Sequence, residues 1–184
     1  NVGQGQSQVV YLGNRTAIVI DCGPSPRVLL DLLLNELHVT RIIALILSHL
    51  DRDHIGGLKG LLHNYPRAIE HIYLLQDRPA SLIIDQLAID FLRSECEQGN
   101  QPFPIPLIRH SQNCHLYRSG DAPNSLGIEL LYPTCFDNLE GQAHQNPNQT
   151  SGIVLLRCGK TRILFPGDAD MEAWRSIHRS RQEA

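Results

Sequence analysis

The feature that most constrains this chain is a polar cluster that directly follows a fully apolar run. Residues 42–47 are all apolar and include three Ile, a composition typical of a strand buried on both faces. The next residues carry two imidazoles and two carboxylates, from His49, Asp51, Asp53 and His54. Because ligands in α/β sheets bind beyond the carboxyl ends of strands, we expect a binding site where this strand ends.

The composition of the cluster indicates a metal site. Neutral imidazole and carboxylate oxygen are ligands for Zn, Mn and Fe, and four such groups stand within six residues. The structural alternative is a turn in which Asp53 caps a helix over residues 55–62. A cap accounts for one acid and leaves both His residues and Asp51 without a role, so we favour the metal site.

Length and composition predict one globular domain, residues 1–184, with 42% hydrophobic and 19% charged residues. The net charge of −3 gives no global basic field, which argues against tight non-specific binding of nucleic acid. Five scattered Cys without paired spacing favour reduced, mostly buried thiols and a cytoplasmic location. No apolar run approaches the roughly 20 residues of a membrane span.

Hydrophobic periodicity predicts a sheet, covering helices, a second sheet and a closing helix. A Pro-rich extended linker over residues 102–106 and a polar loop over residues 136–150 separate these parts. Helices are predicted over residues 27–37, 58–63, 80–98 and 170–180. Strands are predicted over residues 7–12, 16–20, 42–47, 72–75, 107–109, 114–117, 128–132, 153–158 and 162–165.

The loop His49-x-Asp51-x-Asp53-His54-x-Gly56-Gly57 resembles the signature loop of the metallo-β-lactamase superfamily, whose pattern is His-x-His-x-Asp-His. Asp51 in place of the second His is typical of the ComEC-type DNA-uptake branch. Residues 2–7, 20–23 and 148–151 are similar to that branch, and residues 165–168 to the superfamily at large. The resemblance implies an α/β (α+β) fold, the αββα sandwich, with its C-terminal part missing after Ala184.

The resemblance also assigns roles to individual residues. Asp21 supports the metal loop, although a turn-forming Asp is the alternative. Ser151 either contacts substrate or braces the loop around Asn148. The implied metal ligands are His49, Asp51 and Asn148 for one ion, Asp53 and His54 for a second, and Asp168 as the bridging carboxylate.

The function implied by the resemblance is a hydrolase that uses two divalent ions, Zn or Mn with Mg as the alternative. The oxygen donors Asp51 and Asn148 favour a phosphodiesterase or nuclease acting on DNA or another phosphodiester, with Asp51 or Asp53 orienting the attacking water. A thioester or lactone hydrolase is the second hypothesis. A non-catalytic binding module is the third, because Gln6 replaces an Asp of the ComEC-type branch and the last His ligand of the superfamily has no match before Ala184. Membership of a ComEC-type membrane protein would make the domain extracytoplasmic.

Overall fold

The computed structural model describes residues 5–74, 83–107, 115–120, 125–133 and 151–182. The chain divides into two compact units, Asn1–Pro106 and Leu107–Ala184. Among the helices of the described ranges, none combines the length and hydropathy that crossing a membrane requires.

The first unit is built on a five-stranded sheet with β3 at its centre. In sheet order, the strands are β1 Gln8–Gly13, β2 Thr16–Ile20, β3 Arg41–Leu47, β4 Ile69–Leu74 and β5 Ile105–Pro106. Strands β1 and β2 form an antiparallel hairpin, while β2, β3, β4 and β5 run parallel to one another. Every residue of β3 after Arg41 is buried, as expected of a strand in the middle of a parallel sheet.

Helices bury their apolar stripes against one face of this sheet. They are α1 Pro26–Leu30, α2 Arg52–Ile55, α3 Leu58–Asn64 and α4 Ile83–Glu97. The predicted helix over residues 27–37 is present, but α1 continues into a π-helical segment, Asp31–Glu36, in which the Leu37 N–H donates to the Leu32 carbonyl. Leu29 and Leu33 nevertheless remain in the core with residues of β2, β3 and β4.

The second unit has an antiparallel sheet. In sheet order, its strands are β6 His115–Ser119, β7 Leu126–Tyr132, β8 Ile153–Cys158 and β9 Thr161–Phe165. Helix α5, Met171–Gln182, packs Ala173 and Ile177 into a core cluster with Tyr132 and Ile153. Asp170 caps this helix, since its Oδ1 accepts from the backbone N–H groups of residues 172 and 173.

One predicted boundary between the two sheets is wrong. Ile105 and Pro106, placed in a linker by sequence, form β5 and pair with Tyr73 and Leu74 of β4. Proline has no backbone N–H, so it fits the edge of a sheet, and the extended backbone that the Pro pattern predicts is compatible with such a strand. Leu107, predicted to begin a strand of the second sheet, lies outside any strand.

The cysteine and loop predictions are tested only in part. Cys22 and Cys96 are free and buried, whereas Cys158 is free and exposed. The other two Cys and the predicted loop over residues 136–150 lie outside the described residues.

The start of α3 lies directly against the chain that follows β2. The Gly57 N–H donates to the Gly23 carbonyl at 2.9 Å. A Cβ added at Gly57 would collide with the carbonyl oxygen of Cys22, which is backbone and cannot rotate away. A glycine at this position therefore lets the helix pack close to the strand end.

We expect Gly57→Ala to lower the free energy of unfolding by about 1–3 kcal/mol, the usual cost of overpacking a tight contact. Urea denaturation measures the difference from the wild type. Gly127→Ala in β7 is the matched control, because its added Cβ would meet only Arg157 Cβ at 3.9 Å, an ordinary contact. Equal urea midpoints for the two variants would contradict the packing argument.

Candidate metal centre

The sheet topology brings two chain segments together at one edge. Strands β2 and β3 are parallel neighbours with Ile20 opposite Ile46, so their carboxyl ends lie side by side. Asp21 follows β2, and its backbone N–H donates to the Ile46 carbonyl at 2.8 Å. Ser48 follows β3, and the Asp21 carboxylate therefore lies next to the beginning of the loop that carries the predicted ligands.

The Asp21 carboxylate is fully buried and accepts three hydrogen bonds. The Ser48 N–H donates to Oδ1 at 2.8 Å, and the Ser48 hydroxyl donates to Oδ2 at 2.8 Å. The His54 Nδ1–H donates to the same Oδ2 at 2.9 Å. Because burying a carboxylate is costly without such partners, these bonds fix both the acid and the groups that donate to it.

Helix α2 is a single turn within the ligand loop, residues 48–57, which carries the predicted ligands. The N–H groups of His54 and Ile55 both donate to the Asp51 carbonyl, at 2.9 and 3.0 Å. This turn places the His54 ring beside the His49 ring, with 3.9 Å between the ring centroids and a tilt of 50°. Each imidazole is only 1% exposed.

Each buried imidazole presents Nε2 to a carboxylate at the surface. His49 Nε2 lies 3.9 Å from Asp51 Oδ2, and His54 Nε2 lies 3.9 Å from Asp53 Oδ2. The carboxylates are more open than the rings, with side-chain exposures of 36% for Asp51 and 48% for Asp53. In metal-binding His residues, the ring N–H that does not face the metal usually donates a hydrogen bond to a carboxylate, as His54 Nδ1–H does to Asp21. The donor set and its support therefore fit a metal ion.

The backbone around the loop is tied to the N-terminal segment. Gln6 accepts from the Gly23 N–H at 2.9 Å and donates its own N–H to the Asp53 carbonyl at 3.2 Å. The Cys22 N–H donates to the His54 carbonyl at 2.6 Å. Burial, with a smaller contribution from the Asp21 charge, raises the pKa of the Cys22 thiol well above its usual value. Cys22 is therefore a poor candidate for a thiolate ligand.

The remaining predicted site residues belong to the second unit. Ser151 is fully buried, and its Oγ accepts from the Asp168 backbone N–H at 3.0 Å. Asp168 itself is exposed and lies just after β9. Asn148 lies outside the described residues, and its role as a ligand stays a prediction.

The structure thus brings together Asp21, His49, Asp51, Asp53 and His54 in the first unit, and Ser151 and Asp168 in the second. Ser48 is a further member of this cluster for which the sequence pattern predicts no role. Its position between a buried strand and the first His was the available signal, but its partner Asp21 lies 27 residues away in sequence.

A family model for the metallo-beta-lactamase superfamily matches residues 2–173, nearly the whole chain. The chain belongs to the metallo-beta-lactamase superfamily. The two sheets with their helices agree with this membership, and the predicted α/β (α+β) class is confirmed. No curated protein matches the chain significantly.

Two solved structures, human tRNase Z and PqqB, show the same fold at low identity. Human tRNase Z, short form, is 16% identical with a TM-score of 0.51, and the match covers 94% of this chain and 66% of that one. The Zn(2+)-bound PqqB from Methylobacterium extorquens is 16% identical with a TM-score of 0.50, covering 86% and 47%. The YhfI protein from Bacillus subtilis is 13% identical with a TM-score of 0.48, covering 89% and 55%. The chain therefore spans about half the length of YhfI and PqqB.

We expect Asp21→Asn to destabilise the first unit. Both carboxylate oxygens of Asp21 accept hydrogen bonds, and in the variant one of them becomes an NH2 group that faces a donor. A buried donor left without an acceptor costs about 1–3 kcal/mol, which thermal and urea denaturation can resolve. Asp31→Asn is the matched control, since Asp31 lies on the exposed side of the π segment and accepts only a surface hydrogen bond from Asn35. Its effect should stay within about 0.5 kcal/mol. Similar losses in both variants would contradict the role assigned to Asp21.

Proposed function

We propose that this domain is a metal-dependent hydrolase of phosphodiesters. The observation that carries the proposal is the pair of buried His residues, 49 and 54, whose Nε2 atoms lie against the carboxylates of Asp51 and Asp53. Membership of the superfamily supports the hydrolase class. The substrate class rests on the ligand types, because one fold serves many reactions.

Two metal positions are proposed from the resemblance, and the geometry of the four residues is compatible with them. The resemblance pairs His49 with Asp51 at one ion and Asp53 with His54 at another, and each of these pairs is separated by 3.9 Å in the structure. Imidazole with carboxylate suits Zn or Mn, whereas Mg prefers oxygen donors. Zn is the metal bound in the similar structure of PqqB. Asn148 and Asp168 enter the proposal on the sequence resemblance alone.

Divalent ions, when bound, supply Lewis-acid stabilisation of a phosphate and lower the pKa of water. The residues of this chain divide the remaining work by burial. His49 and His54, both 1% exposed, hold their ring nitrogens in fixed positions. Asp51 and Asp53 are open enough to reach solvent, so either can also orient the attacking water and accept its proton.

DNA or another phosphodiester is the proposed substrate. Asp51 takes the place of a His in the superfamily loop, and Asn148 matches the ComEC-type branch at another ligand position. Oxygen donors of this kind favour ions that serve phosphoryl chemistry. Human tRNase Z, whose name describes action on tRNA, shares the fold but at an identity that supports the fold alone. A net charge of −3 means that a nucleic acid would have to bind through a local surface.

Elemental analysis of the purified protein tests the metal site. We expect about two equivalents of Zn or Mn in the wild type, as in two-metal hydrolases. His54→Ala should lose bound metal because it removes a buried imidazole donor. His63→Ala removes an imidazole from the exposed side of α3 and is the matched control. A wild type without bound metal, or equal loss in the two variants, would overturn the proposed site.

Activity assays test the substrate class. The metal-loaded wild type should cleave a chromogenic phosphodiester and single-stranded DNA, and Asp53→Ala should reduce the rate about 100-fold or more, the scale of acid–base and ligand losses. Thioester and lactone probes are assayed in parallel. Cleavage of either probe without cleavage of a phosphodiester would replace the phosphodiesterase proposal with the alternative hydrolase. A metal-loaded protein inert on all probes would indicate a binding module.

A further inference from the structure

Ser48 lies between the Asp21 carboxylate and the His49 ring and is 1% exposed. Its Oγ is 2.8 Å from Asp21 Oδ2 and 3.0 Å from His49 Nδ1. A serine hydroxyl has a single hydrogen to donate, and a carboxylate can only accept. The hydroxyl hydrogen of Ser48 therefore points to Asp21.

The available donors and acceptors also determine which ring nitrogen of His49 carries a hydrogen. Since the Ser48 hydroxyl already donates to Asp21, its oxygen can only accept from the ring, and His49 Nδ1 must carry a hydrogen. A neutral imidazole carries one ring hydrogen, so the lone pair of His49 is on Nε2. His54 reaches the same tautomer directly, through its 2.9 Å hydrogen bond to Asp21. The distance from Ser48 Oγ to His54 Nδ1 is longer, at 3.5 Å.

We propose that Ser48 is a positioning residue that donates its hydroxyl hydrogen to Asp21 and accepts the Nδ1 hydrogen of His49. Through this relay, one buried carboxylate sets the tautomer of both His residues. The consequence for metal binding rests on the proposed function. Both Nε2 lone pairs are directed to the side on which the Asp51 and Asp53 carboxylates lie. Ser48 thereby prepares His49 as a ligand without contacting the metal itself.

Removing the Ser48 hydroxyl should affect the tautomers of the two His residues differently. In Ser48→Ala, the oxygen that accepts the His49 Nδ1 hydrogen is lost, and a hydrogen on Nε2 would instead face the Asp51 carboxylate. The hydrogen bond from His54 to Asp21 does not involve Ser48. The backbone N–H of residue 48 also keeps its bond to Asp21 Oδ1. The variant should therefore change one tautomer and leave the other unchanged.

The experiment is a long-range proton–nitrogen NMR spectrum of the metal-free full chain with labelled His, recorded at about pH 8, above the ordinary His pKa. In the wild type, His49 and His54 should both carry hydrogen on Nδ1. In Ser48→Ala, only His49 should shift toward the Nε2–H tautomer. Zinc titration against a chromophoric chelator should show affinity falling about 10- to 100-fold, the usual effect of losing a group that supports a ligand.

Two further variants distinguish the relay from a general structural effect. Ser7→Ala is the matched control, because its hydroxyl donates to the backbone carbonyl of Asp21 at 3.1 Å and takes no part in the relay. It should leave both tautomers unchanged. Ser48→Thr keeps the hydroxyl, and the folded variant should restore the His49 spectrum. Circular dichroism confirms that each variant is folded.

Two results would overturn the relay, namely an unchanged His49 tautomer in Ser48→Ala, or a folded Ser48→Thr that behaves like the Ala variant. The NMR readout needs neither metal nor activity. A wild type that shows the expected tautomers but binds no metal would overturn the proposed function and leave the relay supported.

Discussion

The candidate metal centre depends on the buried carboxylate of Asp21. Three hydrogen bonds converge on it, two from Ser48 and one from His54. A carboxylate without solvent is stable only when such donors surround it, so the acid and the loop constrain each other. The His54 ring is held directly by this carboxylate, and the His49 ring contacts the Ser48 hydroxyl that donates to it.

That arrangement is available because β2 and β3 are parallel neighbours. Their carboxyl ends reach the same edge of the sheet, and the chain that follows each strand contributes to one polar cluster. Gly57 then allows α3 to begin against the Cys22 carbonyl, which keeps the ligand loop close to the strand end. The backbone N–H groups of Gln6 and Cys22 also donate hydrogen bonds to carbonyls of the ligand loop, which hold the loop against these two segments.

Burial divides the cluster into a rigid part and an accessible part. The His rings and Asp21 are out of contact with water, whereas Asp51 and Asp53 are substantially exposed. Such a division suits a hydrolytic site, because ligand nitrogens must keep their positions while the groups that handle water must reach it. The chain shares its fold with a whole superfamily, and a fold by itself does not fix the chemistry.

The sequence by itself determined the elements that local pattern controls. The apolar run identified β3, alternation and turn residues identified the two hairpins, and the spacing of His49, Asp51, Asp53 and His54 indicated the ligand loop and the family. Only the tertiary structure decided the π-helical segment, the pairing of β5 with β4 and the role of Ser48. The pairing of β5 depends on a contact between distant segments, in which Ile105 pairs with Tyr73. The role of Ser48 likewise depends on Asp21, 27 residues away in sequence, which also accepts from His54, 33 residues away. Local composition carries no information about which distant donor will meet a buried acceptor.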